Sequence, residues 1–146
     1  MKVVLQRAKN ASVIVNKKEV GAISYGLVLL VGIHEKDTKE QLEWICDKIL
    51  KMRIFDDENG KMNLSVQDIE GEIMVVSQFT LYGDASKGNR PSYIDAAGPE
   101  KAEKLYEQMI RYFETNSELK VQSGTFGAYM DVKLTNDGPV TIVLEK

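Results

Sequence analysis

The hydrophobic pattern of the first part of the chain is typical of β-strands. Polar and apolar residues alternate over 2–7, residues 11–15 are rich in β-branched side chains, and residues 16–19 form a polar turn. The run 26–33 is continuously apolar, and a second run, 72–82, is broken mainly by Ser, Gln and Thr. Because such runs suit strands that are covered on both faces, we expect both to lie inside a sheet.

Two segments show the helical spacing of apolar residues. Between 38 and 53 these residues recur every three or four positions, and Asp37 with Glu40 has the sequence of a capping box. A second helix is predicted to begin at Pro99, because proline is favoured in a first turn and residues 105–113 again show an apolar face. The sequence therefore predicts two main helices.

The C-terminal stretch alternates in two sections, 130–134 and 140–144, which flank the sequence NDGP at 136–139. Asn, Asp and Gly tolerate positive φ angles, so the pattern predicts a hairpin with NDGP at its tip, although a plain hairpin does not need the proline. Together the elements predict an α/β fold. We expect a single domain over residues 1–146, with a mixed or antiparallel β-sheet packed against two helices.

The composition excludes several classes of protein. The chain has 19 basic and 22 acidic side chains and a net charge of -3, so any contact with RNA or DNA has to be local. The single Cys46 and the single His34 cannot form a disulfide or a Cys/His zinc site, so we predict no metal and no cofactor. A reducing, cytoplasmic setting is expected, because no signal-peptide pattern opens the chain and no apolar run approaches ~18 residues.

Two polar segments are candidates for chemistry. The sequence SQFT at 77–80 falls where the second apolar run gives way to a loop, and polar groups there either cap a strand or face a developing oxyanion. The loop 86–93 contains side chains that can hold phosphates and stack a base, although most such loops are only solvated. These side chains are Lys87, Arg90 and Tyr93.

Three longer segments resemble the D-aminoacyl-tRNA deacylase family. They are the opening MKVVLQRAKNASV, SQFTLYGD at 77–84 and FGAYMDVKLTNDGPVT at 126–141, and their order and spacing match over essentially the whole chain. The resemblance implies an esterase that hydrolyses the bond between a D-amino acid and the 3′ end of tRNA. It also implies a homodimer with active sites at the interface, in which the sheet becomes barrel-like.

The resemblance places one segment beside the scissile ester, where backbone amides would stabilise the tetrahedral oxyanion. This segment consists of Ser77, Gln78, Phe79 and Thr80. Thr80 is the only side-chain nucleophile that the resemblance offers, and without an adjacent histidine its hydroxyl is a poor one. We therefore favour a water molecule that is activated by the 2′-hydroxyl of the terminal adenosine.

The resemblance also implies the residues that bind the substrate. Gly138 and Pro139 would be joined by a cis peptide bond and inserted into the pocket of the partner subunit, where their carbonyls exclude an L side chain but let glycine pass. Phe126 and Met130 would line the adenosine site. Two alternatives stay open: a dimer that binds nucleic acid without turnover, and a related deacylase for another mischarged aminoacyl-tRNA.

Overall fold

A five-stranded sheet and two helices account for most of the chain in the structure, a computed structural model that describes every residue from Met1 to Lys146. In chain order the elements are β1 (Lys2–Val15), β2 (Lys18–Gly32), α1 (Lys39–Lys51), β3 (Phe55–Asp56), β4 (Met62–Leu64), β5 (Glu72–Ser77), a 3-10 helix (Phe79–Tyr82), α2 (Pro99–Asn116), β6 (Lys120–Ser123) and β7 (Asp131–Glu145).

The main sheet is mixed, with the strand order β6-β5-β2-β1-β7. β6, β5 and β2 are parallel, whereas β1 is antiparallel to both of its neighbours. β3 and β4 form a separate two-stranded sheet. The prediction of a single α/β domain with a mixed sheet and two helices is confirmed. The sheet is open in this chain, and its closure into a barrel on dimerisation stays a prediction.

The N-terminal strands form one long hairpin. Asn16 and Lys17 connect β1 to β2 and both have positive φ angles, of 50° and 65°, as a two-residue turn between twisted strands requires. The apolar run of β2 lies between β1 and β5, and apolar side chains pack against it on each face of the sheet. This burial confirms the prediction for residues 26–33.

The first helix is shorter than predicted, and its capping box is displaced by one residue. Thr38 is the N-cap, and its N–H donates to Oε1 of Gln41 at 2.8 Å, so the predicted pairing of Asp37 with Glu40 is wrong. Asp37 is instead buried, and its Oδ1 lies 2.5 Å from the N-terminal ammonium group of Met1. A carboxylate that forms a buried ion pair is not free to cap the adjacent helix.

The predicted C-terminal hairpin is also wrong. Residues 131–145 form one strand, and both halves of it pair with the same neighbour, β1. Gln6 pairs with Thr141 and Ala8 pairs with Asn136, so the four residues 137–140 lie opposite Arg7 alone. The sequence NDGP therefore lies at a large bulge within a continuous strand and does not reverse the direction of the chain.

The bulge changes the face on which the apolar residues of β7 lie. It inserts three extra residues, an odd number, and side chains alternate between faces with a period of two. Val132 and Leu134 consequently pack on one face of the sheet, and Ile142 and Leu144 pack on the other. One strand thus contributes to both sides of the sheet.

The two faces of the sheet are covered differently. The larger core cluster, of 21 buried residues, includes the apolar faces of both helices. The second cluster has 7 buried residues, all from strands, and half-buried apolar side chains surround it. These surrounding side chains are Leu30, Met130, Val132 and Leu134. No helix of the chain is long and apolar enough to cross a membrane.

Candidate functional site

The segment 77–80 lies where β5 ends and the chain turns into the 3-10 helix. β5 stops at Ser77, earlier than the apolar run to residue 82 predicts, because the N–H of Gln78 is the last to bond across to β2, at 2.7 Å from the carbonyl oxygen of Val31. The N–H groups that open a 3-10 helix, those of Phe79 and Thr80, have no partner within that helix. Both residues are exposed.

The hydroxyl of Thr80 is already engaged within the segment. Gln78 Nε2 donates a hydrogen bond to Thr80 Oγ1 at 2.5 Å, and no basic side chain contacts that oxygen. His34 does not supply a base: its ring packs against Tyr82, with 5.2 Å between the centroids, and its Nδ1 accepts the N–H of Lys36 at 3.0 Å. A neutral His34 then carries its proton on Nε2, which leaves no free lone pair for catalysis.

The segment that contains Phe126 and Met130 begins beside the same end of β5. The N–H of Gly124 donates to the carbonyl of Val75 at 3.0 Å, two residues before Ser77. Phe126 packs on the helical side of the sheet, whereas Met130 packs on the opposite side. Met130 Sδ would lie 2.5 Å from a Cβ on Gly124, so only glycine allows this approach. Both predicted adenosine contacts are half-buried.

Tyr106 of α2 links the end of β5 to the segment that begins at Gly124. Its hydroxyl donates to the carbonyl of Val75 at 2.8 Å and lies 3.4 Å from the carbonyl oxygen of Gly124, and its ring centroid is 5.8 Å from that of Phe126. The side chain is almost fully buried, and this burial raises the pKa of Tyr106 to about 12. The hydroxyl therefore stays protonated and acts as a fixed donor.

The bulge in β7 presents Gly138 and Pro139 at the surface. Both are exposed, and the peptide bond between them is cis, as the resemblance implies. Gly138 has a φ of 118°, and a Cβ there would lie 2.9 Å from Val140 Cγ2 and 3.1 Å from Arg7 Nη2. Glycine is thus required by both conformation and space. The Asn136 side chain closes the bulge by accepting the N–H of Val140 at 3.2 Å.

Asp137 anchors the bulge through three donors. Its carboxylate lies 2.6 Å from Lys9 Nζ and 3.1 Å from Arg7 Nε, and it accepts the hydroxyl of Tyr25 at 3.3 Å. The hydrogen bond from Lys9, together with the positive charges of Arg7 and Lys9, lowers the pKa of Asp137. The largely buried Arg7 also donates to the carbonyl of Ile54 at 2.9 Å.

The structure does not bring the bulge to the segment 77–80 of the same chain. Across the sheet, Ser77 of β5 pairs with Val31 of β2, which pairs with Val3 of β1. The bulge of β7 instead lies opposite Arg7 of β1, four residues further along that strand. Ser77 and the bulge are therefore separated by three strand-to-strand spacings across the sheet and by four residues along it. These intervals correspond to roughly 14 Å across the sheet and about 13 Å along it.

Arg7 and Tyr106 are the residues that sequence reasoning missed. Arg7 could have been found, because it occupies an inward position in the alternation that begins with Val3 and Leu5, and a charged residue there needs a buried partner. Tyr106 gave no comparable indication. Its partners are backbone carbonyls of two remote segments, and the sequence does not show which carbonyls meet a helix.

The matches to known proteins extend over nearly the whole chain. The family model described as D-Tyr-tRNA(Tyr) deacylase matches residues 4–145. The D-aminoacyl-tRNA deacylase of Thermosipho africanus is 54% identical over 145 residues, which are 99% of this chain and 97% of that protein. The protein of the same name from Halalkalibacterium halodurans is 56% identical, with 99% of each chain covered.

Two solved structures share the fold. The c-Myc DNA Unwinding Element Binding Protein superimposes with a TM-score of 0.95 and 43% identity, covering 100% of this chain and 99% of that one. A probable eukaryotic D-amino acid tRNA deacylase superimposes with a TM-score of 0.81, covering 98% of this chain and 97% of that one. At 21% identity the second likeness shows the fold alone.

Matches of this length and identity define a class of hydrolases that act on ester bonds of aminoacyl-tRNA. The chain belongs to the D-Tyr-tRNA(Tyr) deacylase family.

Proposed function

We propose that this protein hydrolyses the ester bond of D-aminoacyl-tRNA and releases the free D-amino acid and tRNA. Glycyl-tRNA that carries glycine on the wrong tRNA is included, because glycine has no side chain to exclude. The observation that carries the proposal is the full-length similarity to proteins named D-aminoacyl-tRNA deacylase. The proposal treats residues 1–146 as one deacylase domain, working in the cytoplasm where aminoacyl-tRNA is used.

In the proposed reaction the ester carbonyl lies against the segment 77–80. The N–H groups of Phe79 and Thr80, which have no partner within the 3-10 helix, stabilise the oxyanion that forms when water adds to the carbonyl carbon. The tRNA 2′-hydroxyl accepts the proton of the attacking water. The bond between the carbonyl carbon and O3′ then breaks, and the 2′-hydroxyl passes its own proton to the leaving 3′-oxygen, so both hydroxyls of the ribose end neutral. This route needs no side-chain base, which agrees with the engaged hydroxyl of Thr80 and the occupied Nδ1 of His34.

Recognition of the D configuration is assigned to Gly138 and Pro139 of a partner subunit. Within one chain the bulge and the segment 77–80 are too far apart to form one pocket, since a loop of four residues spans little of the separation along the sheet. A homodimer supplies the missing part, because the exposed bulge of one protomer can enter the pocket of its partner. Backbone carbonyls aimed at the α-carbon would block an L side chain by steric clash.

The surface available for such a homodimer is the sheet face without a helix. Its cluster of 7 buried residues is rimmed by half-buried Leu30, Met130, Val132 and Leu134. Apolar side chains in this position gain stability when a second protomer removes them from water. The dimer and its interfacial sites are part of the proposal.

The terminal adenosine of tRNA is assigned to the segment 124–130, in which Phe126 and Met130 are the candidate contacts on either side of the sheet. An aromatic ring and a soft thioether can both contact a base, and the two side chains flank the backbone at Gly124. The hydrogen bond between Gly124 and Val75 keeps the start of this segment beside Ser77. The base would thus bind where its ribose reaches the segment 77–80.

A dimer that binds nucleic acid without turnover is the main rival, and the name of one similar structure, a DNA unwinding element binding protein, favours it. The deciding experiment is the steady-state release of D-tyrosine from D-tyrosyl-tRNA at substrate in large excess over protein. Many turnovers per protomer support the deacylase. Binding of the same tRNA with no release of D-tyrosine would support the rival. A deacylase for another mischarged tRNA would instead release an L-amino acid faster than D-tyrosine.

A further inference from the structure

The loop 83–98 is firmly held at its base and open at its tip. Asp84 and Ser92 exchange two backbone hydrogen bonds of 2.8 Å, which close the loop below the tip, residues 85–91. Beyond this closure the N–H of Ala97 donates to the carbonyl of Ile33 at 2.8 Å and fixes the return of the chain to the sheet. All seven residues of the tip are exposed. The tip therefore projects from a rigid base.

An exposed aromatic side chain of this loop, Tyr93, contacts the segment 77–80. The ring of Tyr93 meets that of Phe79 edge-on, with 5.1 Å between their centroids. A Cβ on Gly83 would lie 2.9 Å from Tyr93 Cε1, so the ring also packs closely on that glycine. Tyr93 nevertheless stays 39% exposed. A ring that is fixed and exposed is suited to stacking with a base.

The tip of the loop carries only positive charge. Lys87 and Arg90 lie within residues 85–91, which include no acidic residue. Neither side chain forms a salt bridge or a hydrogen bond within the chain. The net charge of the whole chain is -3, so this local pair of cations differs in sign from the protein as a whole. Such a pair attracts phosphate groups at one place only.

We propose that this loop binds the single-stranded 3′ end of the tRNA substrate upstream of the terminal adenosine. Lys87 and Arg90 contact its phosphates, and Tyr93 stacks on an unpaired base. Cations combined with an exposed aromatic ring are the usual means of holding single-stranded RNA. The contact between Tyr93 and Phe79 makes the surface continuous with the segment assigned to the ester. The inference rests on the proposed deacylase function and adds the part of the substrate that this loop recognises.

The experiment compares two substrates that share the reacting ester. D-tyrosyl-tRNA reaches the loop, whereas D-tyrosyl-adenosine ends before it. The double variant Lys87→Ala/Arg90→Ala should lower kcat/KM for D-tyrosyl-tRNA by about tenfold, mainly through KM. It should also reduce the dependence of log KM on log salt by about 0.7 for each phosphate group that the variant no longer binds. Turnover of D-tyrosyl-adenosine should change by less than about twofold.

A matched control uses the double variant Lys48→Ala/Arg53→Ala, which removes the same two charges. Lys48 lies in the last turn of α1 and Arg53 just beyond it, whereas the loop is anchored near residues before α1, where the N–H of Glu35 donates to the carbonyl of Asp95 at 3.2 Å. The control should leave both substrates and the salt dependence unchanged. A general effect of net charge would instead slow D-tyrosyl-tRNA equally in both double variants and would overturn the proposal.

The stacking contribution is tested at Tyr93. Tyr93→Ala should lower kcat/KM for D-tyrosyl-tRNA by about tenfold, and Tyr93→Phe should keep most of the activity because it retains the ring. Equal losses on D-tyrosyl-adenosine would mean that the loop acts on the ester site and not on RNA, which refutes the inference. If the unaltered protein hydrolyses neither substrate, the deacylase function itself is wrong. Turnover of both substrates that is insensitive to all three loop variants refutes the inference alone.

Discussion

Arg7 Nε lies 3.1 Å from Oδ2 of Asp137, and this ion pair connects the buried face of β1 to the residue before Gly138. Arg7 also donates through Nε to the carbonyl of Asp137, at 3.3 Å. The guanidinium group thus holds both the backbone and the side chain at the base of the bulge. The position of the exposed Gly138 and Pro139 depends on a residue that is itself buried.

The first prediction concerns this ion pair. Arg7→Gln should destabilise the protein by about 2–4 kcal/mol, because it leaves Asp137 and the carbonyl of Ile54 without a buried partner. It should also lower the turnover of D-tyrosyl-tRNA, since the bulge loses its anchor. Lys9→Gln is the matched control. Lys9 contacts the same carboxylate but is half exposed, so its loss should amount to less than about 1 kcal/mol. Urea denaturation of both variants measures the difference, and equal losses would contradict the assigned role of Arg7.

The second prediction is a pH dependence. The folded state lowers the pKa of Asp137, chiefly through the hydrogen bond from Lys9, so its contribution to stability is complete above the unfolded pKa of about 3.9. That contribution disappears as the pH falls through the lower, folded-state pKa. The difference in unfolding free energy between the unaltered protein and Asp137→Asn should be constant between about pH 5 and pH 8 and shrink progressively as the pH falls below about 3.9. A difference that grows in acid would have the wrong sign for this ion pair.

The third prediction concerns Tyr106, whose hydroxyl contacts the backbone at Val75 and Gly124. Tyr106→Phe removes this link without opening a cavity. It should lower kcat/KM for D-tyrosyl-tRNA by about three- to tenfold, because the two segments of the site are no longer fixed relative to each other. Tyr112→Phe is the control on the same helix, since the Tyr112 hydroxyl donates to Asp47 of α1 at 2.9 Å, away from the site.

Both tyrosine variants should lose a similar stability, about 1–2 kcal/mol, because each loses one hydrogen bond to a partly or fully buried group. Only Tyr106→Phe should change kcat or KM under conditions in which both proteins are fully folded. Equal activity of the two variants would show that Tyr106 only packs in the core and does not position the site. Thermal denaturation and steady-state kinetics on the same preparations separate these outcomes.

Much of the fold was predictable from local pattern. The helix that begins at Pro99 and the buried strand at 26–33 follow from periodicity and from the special preferences of proline, whereas the strand predicted over 72–82 ends at Ser77. The prediction of a C-terminal hairpin was wrong for a physical reason. Alternation in two sections looks the same whether the chain folds back at NDGP or continues past it, and only pairing with the remote strand β1 decides between them.

The candidate site was predictable only in part. Polar residues at the end of an apolar run indicated the segment 77–80, and the resemblance supplied Gly138, Pro139, Phe126 and Met130. Nothing in the sequence placed the bulge far from the segment 77–80 within one chain, because that separation depends on strand order and register. Strand order and register are properties of tertiary topology, which periodicity does not encode.

The fourth prediction tests the reaction route. Thr80→Ala should lower kcat by less than about tenfold, because Thr80 has no adjacent base and its hydroxyl only accepts the hydrogen bond from Gln78. Substrate that ends in 2′-deoxyadenosine should react at least about 100-fold more slowly, since it lacks the group that activates water. Thr80→Ser retains the hydroxyl and serves as the control. The reverse order of sensitivities, or an acyl-enzyme trapped on Thr80, would show a side-chain nucleophile.

The last prediction concerns the configuration of the substrate and the role of the bulge. If backbone carbonyls of Gly138 and Pro139 act on the α-carbon, the protein should deacylate D-tyrosyl-tRNA, D-aspartyl-tRNA and glycyl-tRNA and leave every L-aminoacyl-tRNA essentially untouched. A pocket that chose by side-chain contacts would discriminate by only ~1–3 kcal/mol for each apolar group, and its preference would vary between amino acids. Matched D and L substrates in one kinetic assay distinguish these cases.

The substitution Gly138→Ala tests the role of the bulge by changing the protein in place of the substrate. The new Cβ would lie 2.9 Å from Val140 Cγ2 and 3.1 Å from Arg7 Nη2 at a φ of 118°, so the bulge must shift and D activity should fall. Gly60→Ala is the control, because Gly60 also has a positive φ, of 70°, but has open space around it and lies in a remote turn. Its activity should be normal, because a substitution in that turn leaves the bulge in place. Comparable turnover of L- and D-tyrosyl-tRNA by the unaltered protein would refute the steric screen, since a clash at the α-carbon cannot spare an L side chain.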